Sequence, residues 1–214
     1  MSKLFDIYQA LYKHYGTQHW WPGDSAFEIM VGAVLTQNTS WTNVEKAIQN
    51  LKTAEALTAE AIVSATAKQL AEWLRPSGYF NVKARRLQAF CQWLLAAGGE
   101  AELARRETAT LRRELLSVHG IGPETADDIL LYALDRPVFV IDAYTRRLFS
   151  RLGLVDGSEP YEELRELFET GLTNDPQLFN EYHALIVIHA KDTCRTKARC
   201  ELCCLARQCP SANH

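Results

Sequence analysis

Four cysteines near the end of the sequence, in the string CRTKARCELCCLARQC, have the spacing of a metal site. They follow the pattern C-x5-C-x2-C-x5-C and are Cys194, Cys200, Cys203 and Cys209. This spacing is too tight for a set of structural disulfides, and it suits four thiolates around one inorganic centre. The residues between them include Arg195, Lys197, Arg199 and Arg207. The sequence therefore predicts a metal in a cationic loop, which favours a nucleic-acid partner.

A second group of residues could hold a phosphate. The string LLSVHGIGPETADDILLYAL places a short turn between two amphipathic segments. Gly120 and Gly122 are expected to supply unusual backbone angles, and Pro123 suits the first position of the following helix. The N–H groups at that helix N-terminus would then point at an anion such as a DNA phosphate. Alternatively, the two glycines only permit a tight turn between the helices.

The third candidate is a single carboxylate. Asp142 lies twenty residues beyond Gly122, after an apolar run and before a basic segment that contains Arg146, Arg147 and Arg151. An aspartate at the start of a helix is first a candidate N-cap, which contributes about 1 kcal/mol. The functional interpretation is a carboxylate held at the mouth of a cleft.

Helical periodicity dominates the elements that must position these residues. Apolar residues recur at three- and four-residue spacing, which predicts an all-α protein of about ten helices. Pro137–Ile141 is the only short apolar, β-branched run. The periodic segments are 4–15, 27–35, 70–74, 82–95, 111–118, 129–134, 144–152, 164–172 and 179–189.

Composition and charge set further bounds. The chain has 214 residues and a net charge of −3, which argues against uniform attraction to DNA. Charge is uneven, however: eight basic and three acidic residues lie in 75–113, and eight acidic residues and one basic residue lie in 156–181. No apolar run approaches the ~20 residues of a membrane span. The N-terminal segment lacks a secretion signal, so a cytoplasmic, nucleoid-associated bacterial protein is expected.

Taken in order, these motifs resemble the endonuclease III branch of DNA base-excision glycosylases, in the HhH-GPD superfamily. The strings FEIMVGAVLTQNTSWTNVEKAI and SGYFNVKARRL resemble two further family segments. The resemblance implies a two-domain fold. One domain, 24–135, has six helices and includes the helix–hairpin–helix at about 111–134. The other combines 1–23 with 136–214 and carries a [4Fe-4S] cluster loop at 194–209, for which zinc is the alternative metal.

Two departures from the family pattern bear on the chemistry. Bifunctional members carry a lysine where this chain has Glu124, so their Schiff-base route to strand cleavage is not expected from that position. The first gap between cysteines has five residues instead of six, and Cys204 adjoins Cys203. Either of those two cysteines is therefore a candidate for the third ligand.

Within the family, the chain resembles the endonuclease-III-like bacterial 3-methyladenine glycosylases. That resemblance implies a base pocket lined by Trp20, Trp21, Pro22 and Trp41. An electron-poor alkylated purine would stack well between such rings. Ordinary core packing is the other interpretation of the tryptophans. Members of this branch can lack the cysteine cluster. Its presence here therefore weakens the inference that this chain has the same substrate as that branch.

Roles for the remaining residues follow from the same resemblance. Gln37 and Asn38 would fill the gap left by a flipped nucleotide, with Tyr79 or Phe80 as a wedge. The DNA-contacting set also includes Lys83, Gly120, Gly122 and Thr125. Asp142 would stabilise the oxocarbenium-like state and activate water. The histidines are interpreted as structural or surface residues, and Cys91 as a core residue.

The sequence thus predicts a monomeric, monofunctional DNA glycosylase that acts on damaged, alkylated bases in double-stranded DNA and leaves an abasic site. The first alternative is a bifunctional glycosylase/AP lyase that acts on oxidised pyrimidines. The second is a non-catalytic iron–sulfur protein that binds DNA.

Overall fold

Twelve α-helices account for most of residues 3–212, which are the residues that this computed structural model describes. No strand occurs among them, so the predicted all-α fold is confirmed. The chain divides into two compact units. The hairpin unit is Gly23–Leu134, and the terminal unit combines Met1–Pro22 with Asp135–His214.

The hairpin unit contains eight of the α-helices. They are α2 (Ala26–Leu35), α3 (Trp41–Thr53), α4 (Ala59–Ser64), α5 (Ala67–Leu74), α6 (Phe80–Ala96), α7 (Glu100–Leu103), α8 (Thr108–Ser117) and α9 (Pro123–Asp128). A 3₁₀ turn at Arg75–Ser77 precedes α6, and α9 continues as a π-helical segment, Ile129–Ala133. Helices α4 and α7 are too short to show a helical period, which is why the sequence pattern did not indicate them.

Helix α2 is the centre of the hairpin unit. Eight of its ten residues are buried, as expected for a helix that is apolar on all sides. Its N-cap is Ser25, whose hydroxyl accepts a hydrogen bond from the Glu28 N–H at 3.1 Å. Helices α3 and α6 and the π-helical segment pack against it. The residues that follow α2 are therefore held by the core of the unit.

The terminal unit contains α1 (Lys3–Tyr15), α10 (Ala143–Arg151), α11 (Tyr161–Gly171) and α12 (Pro176–Asp192). Two 3₁₀ turns, Cys200–Leu202 and Ala206–Gln208, follow α12. Its core is aromatic: the Phe139 ring stacks on Phe168 with 4.2 Å between centroids, and it contacts Phe179 edge to face. Helix α12 packs against both α1 and α10.

The apolar run before Asp142 is extended but forms no strand. Two of its backbone N–H groups bond to side chains: Phe139 donates to Glu169 Oε1 at 3.0 Å, and Ile141 donates to the Tyr161 hydroxyl at 3.3 Å. Buried apolar residues on this run anchor the segment that leads into α10. No helix of residues 3–212 is long and apolar enough to cross a membrane.

Candidate functional site

Asp142 caps the N-terminus of α10, as one interpretation of the sequence proposed. Its Oδ1 accepts hydrogen bonds from the Thr145 N–H at 2.7 Å and from the Thr145 hydroxyl at 2.8 Å. Its Oδ2 lies 3.5 Å from Nε2 of His183, and the Asp142 side chain is only 12% exposed. The cap fixes one carboxylate oxygen and leaves the other beside an imidazole.

The surroundings of Asp142 favour its charged form. Burial alone would raise the pKa of this carboxyl. The charge and hydrogen bond of His183 and the two hydrogen bonds from Thr145 outweigh that effect, and the net pKa lies below its ordinary value. The group is therefore a carboxylate at neutral pH. A buried anion of this kind can stabilise positive charge that develops next to it and can orient a water molecule.

His183 is the residue of this site that the sequence did not reveal. It lies on α12, is 5% exposed, and contacts the edge of Phe139 at 6.4 Å between ring centroids. It is separated from Asp142 by forty-one positions and belongs to no local motif. The expectation that the histidines are structural or surface residues therefore missed its position beside the carboxylate.

The predicted hairpin joins α8 to α9. Gly120 has a φ of +87°, in the left-handed region, and an added Cβ there would overlap the Arg86 side chain. Gly122 is the N-cap of α9 and has φ −95° and ψ 177°. The expectation of an unusual angle is thus right for Gly120 and wrong for Gly122, whose backbone is extended. A Cβ on Gly122 would meet no heavy atom within 4 Å, so the space in front of α9 is open.

The start of α9 has backbone N–H groups that lie before its first helical hydrogen bond. Pro123 occupies the first turn, and the first helical hydrogen bond is donated by Ala126 to Gly122 O at 2.9 Å. Thr125 is the residue before Ala126, so its N–H lies ahead of the first helical hydrogen bond. A buried ion pair braces the two helices: Arg112 Nε lies 2.6 Å from Asp127 Oδ1 and its Nη2 lies 3.0 Å from Oδ2. Such a bidentate pair fixes the hairpin geometry.

Gln37 and Asn38 lie next to each other in the turn between α2 and α3, and their side chains have different surroundings. Gln37 Nε2 donates to Gly120 O at 3.1 Å and to Thr125 Oγ1 at 2.9 Å, while its Oε1 accepts a hydrogen bond from Arg86. Asn38 is exposed and has a φ of +54°. Gln37 is thus tied to the hairpin, and Asn38 is the side chain of the pair that faces solvent.

Tyr79 and Lys83 have opposite exposures. The Tyr79 side chain is 72% exposed, at a φ of +46°, immediately before α6, and Phe80 is partly covered by Arg75. Lys83 is 1% exposed, and its Nζ donates to Leu35 O at 2.8 Å and to Ser77 O at 2.6 Å. The expected direct contact of Lys83 with DNA needs correction, because its amine is enclosed by protein carbonyls.

Three of the residues expected to line a base pocket, Trp20, Trp21 and Pro22, belong to the terminal unit. The two indole rings meet edge to face with 6.1 Å between centroids, and both are partly buried. The Lys191 ammonium lies 6.0 Å from the Trp20 ring centroid and 5.9 Å from that of Tyr144. Trp41 begins α3 in the hairpin unit, where its indole N–H donates to Glu45 Oε1 at 2.8 Å.

The four predicted ligand cysteines line one cavity of about 360 Å³ in the terminal unit. They are Cys194, Cys200, Cys203 and Cys209; Cys204 does not line it. Arg151 closes one side and donates to Cys194 Sγ at 3.3 Å and to Arg195 O at 2.6 Å. Arg147 Nε donates to Cys194 O at 3.0 Å. Cys91, by contrast, is fully buried in α6, as expected of a core residue.

The donor set and the cavity together fit an iron–sulfur cluster. Four cysteine thiolates are the usual ligands of such a cluster, and a single zinc ion also accepts four cysteines. Among residues 3–212, no group of three His, Cys, Asp or Glu side chains is arranged closely enough to hold a metal ion. Four thiols around a cavity of about 360 Å³ suit a larger, multi-atom centre with thiolate ligands.

Comparisons with known proteins agree with these features. The model of the HhH-GPD superfamily of base excision DNA repair proteins matches residues 31–173. A putative DNA repair glycosylase of Methanocaldococcus jannaschii is 47% identical over 211 residues, which are 97% of this chain and 96% of that protein.

Solved structures give the same result. H. pylori 3-methyladenine DNA glycosylase (MagIII), bound to 1,N6-ethenoadenine, superposes with a TM-score of 0.78 at 33% identity. The match covers 88% of this chain and 97% of that one. An endonuclease III in a non-covalent DNA complex shares the fold, with a TM-score of 0.83 at 20% identity over 99% and 97% of the chains. This chain therefore belongs to the HhH-GPD superfamily of base excision DNA repair proteins, the family of DNA glycosylases.

Proposed function

We propose that this protein is a monofunctional DNA glycosylase that releases alkylated bases and leaves an abasic site. The observation that carries the proposal is the buried carboxyl group of Asp142, held by Thr145 and lying beside His183. Glycosidic bond cleavage develops positive charge on the sugar, and a fixed carboxylate stabilises that charge.

In the proposed reaction, the damaged nucleotide leaves the base stack before the bond breaks. Water attacks C1′ of the sugar, the bonding pair of the N-glycosidic bond goes to the departing base, and Asp142 accepts the proton of the water. An already cationic base leaves as a neutral molecule. A neutral base needs a proton, for which water or a nearby acid is the source.

The hairpin is proposed to hold the DNA backbone. The open space at Gly122 and the N–H of Thr125 at the start of α9 support this role. These contacts would position the duplex without reading its sequence. Asn38 and the exposed ring of Tyr79 are proposed to occupy the space that the flipped nucleotide leaves, while Gln37 is held by the hairpin.

An alkylated base is the proposed substrate. The support is the similarity to a 3-methyladenine glycosylase at 33% identity and the presence of Trp20, Trp21, Pro22 and Trp41 as aromatic and apolar contacts for a base. The Lys191 ammonium lies over the Trp20 ring, so the charge of a base bound at that ring affects its binding. Neutral and cationic adducts must therefore be compared separately.

The proposed mechanism has no strand-cleaving step. Glu124 stands at the hairpin position where the resemblance would place a lyase lysine, and it is exposed at the start of α9. A carboxylate cannot form a Schiff base with the sugar aldehyde. An abasic product that persists until alkali treatment is the expected consequence.

A [4Fe-4S] cluster is the proposed cofactor, held by Cys194, Cys200, Cys203 and Cys209. When bound, such a cluster supplies four metal–thiolate bonds that fasten the loop. The loop carries Arg195, Lys197 and Arg199, so fastening it presents a cationic surface to DNA phosphates. The protein is proposed to act as a monomer on double-stranded DNA.

The test of this function is a panel of duplexes that each carry one lesion. The panel contains 3-methyladenine, 7-methylguanine, 1,N6-ethenoadenine, an oxidised pyrimidine and an undamaged control. Strand breaks at the lesion are scored before and after alkali, which cleaves the strand where a base has been released. Each reaction is repeated with borohydride. We expect alkali-dependent cleavage of alkylated duplexes and no borohydride trapping. Efficient trapping, or cleavage confined to the oxidised pyrimidine, would replace this proposal with a bifunctional glycosylase/AP lyase.

A further inference from the structure

Lys83 joins two segments of the hairpin unit through one buried amine. It lies in the first turn of α6, and its Nζ donates to the carbonyl of Leu35, the last residue of α2, at 2.8 Å. The same Nζ donates at 2.6 Å to Ser77 O, two residues before Tyr79. An ammonium group that is 1% exposed needs such partners because its desolvation is costly. The amine therefore fixes both segments relative to α6.

Arg86 extends this connection along the same face of α6. It lies three positions after Lys83 and donates to Gln37 Oε1. The amide nitrogen of Gln37 in turn donates to Gly120 O and to Thr125 Oγ1, at 3.1 and 2.9 Å. The aliphatic part of Arg86 packs directly against Gly120, where an added Cβ would lie 2.7 Å from Cδ. Arg86 thus bonds to the α2–α3 turn through its guanidinium and packs against the hairpin through its aliphatic part.

The three connected turns share one further property. Each contains a residue in the left-handed region: Asn38 at +54°, Tyr79 at +46° and Gly120 at +87°. For Asn38 and Tyr79, which have a Cβ, this backbone is uncommon and persists only when surrounding contacts enforce it. Both side chains are nevertheless exposed. Strained backbone beneath exposed side chains indicates turns that are held for a purpose on their outer surface.

We propose that Lys83 and Arg86 are positioning residues that hold the Asn38 turn, the Tyr79 turn and the hairpin as one preorganised edge for insertion into DNA. This inference rests on the proposed function only in assigning DNA to that edge. Neither side chain touches the nucleic acid in this account. They act by removing the conformational freedom that the three turns would otherwise lose on binding.

The test compares Arg86→Met with Arg85→Met. Arg85 is the matched control, because it is an exposed arginine on the same helix and its removal changes net charge equally. Two measurements are made on the full-length protein. One is amide hydrogen exchange without DNA in segments 36–40, 77–80 and 119–125. The other is the ratio of affinities for a duplex with a tetrahydrofuran abasic analogue and for an undamaged duplex.

We expect Arg86→Met to increase exchange in segments 36–40 and 119–125 and to lower the affinity ratio by about tenfold, as for a lost hydrogen bond to a charged group. Arg85→Met should weaken both duplexes equally and leave the exchange rates unchanged. A double variant with Gln37→Leu should be no worse than Gln37→Leu alone, because the hydrogen bond of Arg86 reaches the hairpin only through Gln37. Equal exchange and equal affinity ratios in the two arginine variants would overturn the inference.

Amide hydrogen exchange of a folded Lys83→Met variant provides a second test. The substitution should increase exchange at 77–80 as well, because the Ser77 carbonyl loses its partner. The exchange results do not depend on catalysis. If the variants differ in exchange and in affinity ratio as expected but the wild-type protein releases no base, the proposed function is contradicted and this inference stands.

Discussion

Nε2 of His183 lies 3.5 Å from Oδ2 of Asp142, and both side chains are nearly excluded from solvent. Thr145 occupies the other carboxylate oxygen with two hydrogen bonds. The carboxylate is therefore fixed on one side by its helix cap and faces an imidazole on the other. The contacts that favour a buried anion here come from an imidazole and from the N–H and hydroxyl groups of Thr145.

Replacing His183 with Phe should shift the acid limb of the pH–rate profile to higher pH. Burial raises the pKa of Asp142, and His183 supplies the largest opposing effect, so its loss raises that pKa. Activity requires the carboxylate, and it is lost as pH falls through the pKa. Single-turnover base release between about pH 4 and 8 measures the limb; this interval spans the ordinary range of carboxyl groups.

His183→Gln is the matched variant, since its amide can still donate to Asp142. It should shift the limb less than His183→Phe does. If both variants keep the wild-type limb while their rates at neutral pH fall equally, His183 acts by packing alone.

The two hairpin glycines should respond differently to alanine. Gly120→Ala places a Cβ at φ +87° against Arg86, so we expect a loss of at least about 1 kcal/mol in the free energy of unfolding. Gly122→Ala has an ordinary φ and open space, and its stability should stay within about 0.5 kcal/mol of wild type. Its methyl group should instead weaken DNA binding. Urea unfolding and duplex titrations at several salt concentrations separate the two effects.

Equal losses of stability in the two variants would contradict this account of the hairpin. Unchanged duplex affinity in Gly122→Ala would show that no phosphate approaches α9 closely.

The stability of the protein should rise with pH through the titration of Lys83. Burial, with a contribution from the Arg86 charge, lowers the pKa of Lys83 from 10.5 to about 8. Between these values the unfolded chain binds a proton that the folded chain does not, so unfolding becomes less favourable by up to about 1.4 kcal/mol per pH unit. Other groups titrate in this range. The measured quantity is therefore the difference between wild type and Lys83→Met in the unfolding free energy from pH 7.5 to 10.5, which should grow with pH.

A difference that is constant across this range would mean that the amine titrates as an exposed lysine does, and that its enclosure by Leu35 O and Ser77 O is not maintained in solution.

Cysteine substitutions should identify the third cluster ligand. Cys203 lines the cavity with the other three ligand candidates, and Cys204 does not. We expect Cys204→Ser to retain iron and the brown colour of a [4Fe-4S] protein, and Cys203→Ser to lose both. Metal analysis and visible absorbance of anaerobically purified protein measure this. Bound zinc in the wild type, or loss of iron from Cys204→Ser, would contradict the assignment.

Local sequence patterns predicted those features of the site that are formed by residues close together in the sequence. The cysteine spacing, the cap at Asp142 and the position of Pro123 each depend on residues within a few positions of one another, so the sequence alone indicates them. Gly122 was misinterpreted because a Gly-x-Gly pair does not say which glycine carries the positive φ.

Long-range packing determined what the sequence could not indicate. His183 meets Asp142, and Gln37 meets Gly120, across 41 and 83 positions. Lys83 looked like a surface cation because lysine is almost never fully buried. Its burial depends on two carbonyls, one of them 48 positions away, that no local pattern places near it.

The central claim is that Asp142 performs hydrolytic base release without cleaving the strand. The most direct measurement is single-turnover base release from an alkylated duplex by wild type and Asp142→Asn, scored with and without alkali. We predict that the wild type yields strand breaks only after alkali, and that Asp142→Asn slows base release at least about 100-fold while still binding the tetrahydrofuran duplex. Unchanged base release by Asp142→Asn, or strand breaks without alkali in the wild type, would contradict the account.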